Sequence, residues 1–108
     1  MDTRELSDII LGDDPAKRTK WFNLLKDPVF VPTYNFKTWE ETRDAPMQKL
    51  KKVQEAKMVS VRDFGTDPHN IFLAHEFLAM VDDSCAVKFT VQFNLFGGST
   101  YALSTERH

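Results

Sequence analysis

Three Asp-Pro steps, Asp14-Pro15, Asp27-Pro28 and Asp67-Pro68, cut this chain into short segments and limit how long any regular element can run. Asp is a strong N-cap and Pro is favoured at the first helical position, so each step is a place for a helix to open. After Pro15, Trp21, Phe22, Leu24 and Leu25 recur at helical spacing, with Lys17, Arg18, Lys20 and Lys26 left for solvent. Ahead of it, Leu6, Ile9 and Ile10 mark a short helix that stops near Gly12. Residues 28–37 carry two prolines, which disfavours a regular helix and predicts an extended connector laying Phe30, Tyr34 and Phe36 against the core.

Thr38-Trp39-Glu40-Glu41 has the form of a capping box, so a helix starts at residue 39. Pro46 is expected to divide a short helix from a longer one over 46–61, with Met47, Leu50 and Val53 on one stripe and Lys49, Lys51 and Lys52 mostly outside. Gly65 ends that segment. From Pro68 a helix follows with Ile71, Phe72, His75, Leu78 and Ala79 down one side, and Asp82-Asp83-Ser84 is a stop-and-restart signal.

Local pattern and helical reading part company after residue 86. Val87 to Leu95 alternates apolar and polar, the period of a half-buried strand, and Gly97-Gly98 followed by Ser99–Leu103 completes a β-hairpin on propensity alone. Wound as a helix, the segment puts Cys85, Phe89, Gln92, Phe93 and Phe96 on one face and is apolar nearly all round, the pattern of a helix buried on most sides. Ser104–His108 reads as the cap and first turn of a further helix.

At 108 residues, 42% hydrophobic and 28% charged, the chain suits one soluble globular domain. A formal charge of -2 argues against a surface dominated by nucleic-acid binding, and no apolar run is long enough to span a membrane. The N-terminus has no apolar signal-peptide core. One cysteine, Cys85, rules out an intrachain disulfide and a cysteine-based metal cage. His69 and His75 are six apart, on different sides of a helix, so no metal site is expected. Asp82-Asp83 reads as a cap, and Gly97-Gly98 lacks the spacing of a phosphate-binding loop. No catalytic constellation is present.

Two stretches nevertheless point to a family. Leu6-Ser-Asp-Ile-Ile-Leu-Gly12 through Leu24-Leu-Lys-Asp-Pro-Val-Phe30 resembles the start of acyl-CoA oxidases. So do Val81-Asp-Asp-Ser-Cys-Ala-Val-Lys88, Val91-Gln-Phe-Asn-Leu-Phe-Gly-Gly98 and the closing Ser104-Thr-Glu-Arg-His108. Residues 38–66 match only in helical pattern. The resemblance implies an all-α N-terminal domain over 1–108: N-terminal helices and connector to residue 37, then part of a helical bundle from 38. It therefore implies that residues 84–97 are helical and not a hairpin.

The same resemblance implies function. Acyl-CoA oxidases use FAD to convert acyl-CoA and O₂ into trans-2-enoyl-CoA and hydrogen peroxide in peroxisomal fatty-acid β-oxidation, as homodimers. Their β-rich middle domain meets the flavin, and a later helical part supplies the catalytic glutamate. On this reading the chain is a truncated form or fragment, inactive alone, with the FAD site elsewhere. Its place would be peroxisomal, or otherwise cytoplasmic. The face of Phe89, Gln92, Phe93 and Phe96 is then the candidate wall of the acyl-chain pocket. The competing expectation is a stand-alone helical interaction module that kept the domain and lost the chemistry, its apolar helix covered by a partner.

Overall fold

Each Asp-Pro step opens a helical turn in the structure, a computed structural model that describes residues 2–12 and 14–105. Pro15 begins α2 (Pro15–Leu25), Pro28 begins a single 3₁₀ turn (Pro28–Phe30), and Pro68 begins α5 (Pro68–Val81). Before them, α1 (Thr3–Leu11) is capped by Asp2 and stopped by Gly12, whose φ of 63° only glycine adopts without strain. No strand occurs among the described residues, and the fold is all-α. Among the described residues no helix is long and apolar enough to cross a membrane.

The N-cap half of the capping box forms, and the reciprocal bond is shifted by one residue. Thr38 Oγ1 accepts from Glu41 N at 3.2 Å, and the Glu41 carboxylate takes the main-chain N–H of Lys37 at 2.8 Å. The helix it starts, α3 (Trp39–Glu55), runs unbroken through Pro46, contrary to the expected division there, and it ends at Glu55, not near 61. Pro46 is buried, so the packing of its ring offsets the hydrogen bond that a proline removes. The short α4 (Asp63–Thr66) contains Gly65.

Helix α5 is the centre. Ile71, Leu73, Ala74, Phe77 and Leu78 are buried on it, while Phe72 and Ala79, expected on its apolar stripe, are exposed. The stripe is displaced because α5 is covered on two sides, by α2 and by α6 (Asp83–Phe89), so no single face holds all its apolar residues. Trp21 stacks on Phe77 at 5.8 Å and Phe22 meets the same ring edge-on at 4.9 Å. Phe30, Val53, Cys85 and Phe89 complete the core. The connector expected to be extended over 28–37 begins with the 3₁₀ turn, which buries Phe30, and only residues 31–37 are without helical structure. Tyr34, 87% exposed, and Phe36, also exposed, do not pack on the core as expected, because this strap passes over the surface.

The hairpin suggested by alternation does not form. From Asp83 the chain is helical to Leu103: α6, then a π-helical segment over Thr90–Gly98, then α7 (Ser99–Leu103). Asp82 caps this run, its Oδ1 accepting from Ser84 N at 2.9 Å and Cys85 N at 3.3 Å. Residues Glu106–His108, where a further helix start is expected, lie outside the described residues.

Candidate functional site

α3 and the α6–π run lie side by side, and between them is a groove of about 370 Å³. Met47, Leu50 and Val53 line it from α3, Val59 from the segment after, and Phe89 and Phe93 from the facing helix. Lys51, Gln54 and Gln92 supply its polar groups. The two phenylalanine rings stack 4.7 Å apart, and Phe64 extends the stack to Phe93 at 6.0 Å. This is an apolar trough at the small end of ligand-pocket sizes, with a few amides and one ammonium beside it.

Of the four residues expected to wall a pocket, Phe89, Gln92 and Phe93 come together here and Phe96 does not. Phe96 is 71% exposed. The cause is the winding. In an α-helix, at about 100° per residue, Phe96 falls within about 20° of Phe89. In a π-helix, at roughly 80° per residue, it falls about 160° away, on the solvent side. The lining residues from α3 were visible in the sequence as a core stripe but not as a partner face, since nothing local says which helix lies opposite.

Gly97 and Gly98 set how closely the π segment approaches its neighbours. A Cβ at Gly97 would lie 3.1 Å from Val61 Cγ1, and one at Gly98 3.1 Å from Phe64 Cε2.

Most of the remaining reactive groups are occupied structurally, while His69 Nε2 is buried without a hydrogen-bond partner. Burial pushes the Cys85 thiol up to about 11, so it is not a nucleophile at neutral pH. Among the described residues no cluster of His, Cys, Asp or Glu is arranged to hold a metal ion. His75 bonds to Ile71 O, Thr90 and Asn94. Lys49, expected on the outside, is buried, and its ammonium pairs with Asp82 below a second cavity of about 350 Å³ that Pro32, Tyr34 and Phe36 partly line. Its stem enters the core because α3 is covered on that side by α6, which the spacing of the lysines does not reveal.

No family profile matches the chain. It is similar to the human protein "Peroxisomal acyl-coenzyme A oxidase 3", with 28% identity over 93 residues, 85% of this chain. The chain spans 13% of that relative's length. No solved structure matches it.

Proposed function

We propose that the chain is a helical wall of the acyl pocket in an acyl-CoA oxidase, with the α3/α6–π groove taking part of the fatty-acyl chain. What carries the reading is that the apolar groove lies on a chain similar, over most of its length, to such an enzyme. The wall's part in the chemistry is to hold the chain by apolar burial, about 0.8 kcal/mol per methylene, and to keep water from the reacting carbons.

FAD does not fit the groove. A dinucleotide's pyrophosphate needs converging main-chain N–H groups at a helix N-terminus, and the groove offers mid-helix side chains with Lys51 as its cation. The flavin, the α-proton base and the contact with O₂ would come from elsewhere in such an enzyme, acting in the peroxisome. The 108 residues by themselves would show no oxidase activity.

Competition against a hydrophobic dye tests the reading. Dodecanoyl-CoA should displace dye from the chain saturably, acetyl-CoA and free CoA should not, and Leu50→Trp, which fills the groove, should weaken displacement at least tenfold. Equal displacement by CoA alone, or none by any acyl chain, would count against an acyl site.

A second reading has its own support. Val87, Val91 and Leu95 are 64%, 45% and 62% exposed along the outer side of the α6–π run, an apolar stripe with no cover. A non-catalytic interaction module would use that stripe as its partner surface, and Val91→Asp would then abolish its association without changing dodecanoyl-CoA binding.

A further inference from the structure

The π winding of Thr90–Gly98 is held from outside the segment. His75 on α5 reaches it with Nε2, 2.8 Å from Asn94 Nδ2 and 3.1 Å from Thr90 Oγ1. Its Nδ1 lies 2.8 Å from Ile71 O, a carbonyl that only accepts, so Nδ1 carries the proton and Nε2 is left as the acceptor for the Asn94 amide. This bond depends on the winding. Counted from Phe89, Asn94 stands about 140° round in an α-helix, turned away from the core. In a π-helix it stands roughly 40° round, toward α5.

The π winding needs support that an α winding would not. π-helices are rare because α winding is intrinsically better, so the bridge must supply the difference. It also leaves a polar atom stranded: Asn94 Oδ1 is buried with no hydrogen-bond partner, whereas α winding would turn it to water. The stakes fall on Phe96. π winding puts it outside the groove, and α winding would swing it to the groove side between Gln92 and Phe93.

We propose that His75 is a positioning residue that, through Asn94, selects π over α winding and so decides whether Phe96 joins the groove. If the groove takes an acyl chain, as proposed above, this bridge sets the length of its apolar wall and thereby chain-length selectivity. The winding claim itself does not need that reading.

The test uses thiol labelling of the full chain without any ligand, so its outcome is separate from that of the acyl-binding experiment. Cys85 is 1% exposed with its thiol pushed up to about 11, and stays silent. Phe96→Cys reports the winding. Val91→Cys points outward in both windings and is the reference. With the bridge intact the two cysteines should label at rates within about threefold of each other. Adding Asn94→Ala should slow the thiol at 96 at least tenfold relative to the thiol at 91, and His75→Phe, which keeps a ring of similar size, should do the same. A ratio of the two rates unchanged in both backgrounds overturns the proposal, including where a variant merely loosens the fold and raises both rates together.

Discussion

Lys49 pairs with Asp82 across 33 residues of sequence, with side-chain exposures of 6% and 20%. Removing one partner of such a pair leaves the other charge uncompensated, so Lys49→Met should cost about 2–4 kcal/mol of stability by denaturant unfolding. Adding Asp82→Asn, which keeps an N-cap oxygen, should recover most of it. The lysine run at 49–52 was legible as charge; which lysine turns inward was not, because that depends on a partner from another helix. Cys85 gives a prediction with the opposite pH sign to the carboxylates. Its folded value lies above the unfolded value of about 9, so the stability it contributes is complete below pH 9 and lost as pH rises toward 11, by roughly 2–3 kcal/mol. Cys85→Ala should flatten that alkaline limb of a stability–pH curve. Asp27 is held below the ordinary carboxylate range by the Val29 N–H and then by Lys52. Its contribution is present above the unfolded value and lost as pH falls through the folded one, and Asp27→Asn should remove that share of the acid limb.

Among the elements, α1, α2, α3 and α5 were legible because their starts are written locally: Asp2 and Thr38 cap α1 and α3, and Pro15 and Pro68 open α2 and α5, although Asp14 and Asp67 pair with Lys17 and do not cap those helices. The α6–π run was not legible from pattern. Val87–Leu95 alternates because one helix carries two apolar sides, Cys85, Phe89 and Phe93 inward and Val87, Val91 and Leu95 outward, and the two sides interleave as a strand would. Phe96 stands apart from Phe89, Gln92 and Phe93 in the structure for the same reason: spacing names a face only once the winding is known. Phe93 is half-buried and stacks on both Phe89 and Phe64. Phe93→Ser should therefore cost about 1–3 kcal/mol, less than the 3–5 kcal/mol of a fully buried ring, and should weaken binding of a hydrophobic dye. Strong destabilisation with unchanged dye binding would make this ring ordinary core instead of groove wall.

As a whole the molecule is thin, 52 × 43 × 19 Å, with a radius of gyration of 15.8 Å against about 13 Å for a compact domain of this length. Its accessible surface is 8015 Å², where a monomer of this mass exposes about 6,200 Å². The difference is comparable to both sides of a standard protein interface, about 1,600 Å². A slab two helices thick, with an open apolar groove and an uncovered Val87/Val91/Leu95 stripe, has the proportions of one wall of a larger assembly. The isolated chain should accordingly self-associate as its concentration rises, in sedimentation or light scattering, and Val91→Asp should suppress this. The groove is the centre of the account, and methyl NMR of the chain titrated with dodecanoyl-CoA tests it most directly. The account predicts saturable shifts at the methyls of Met47, Leu50, Val53 and Val59, with Val87, Val91 and Leu95 unmoved. Shifts confined to the Val87/Val91/Leu95 stripe, or none at saturating ligand, would contradict it.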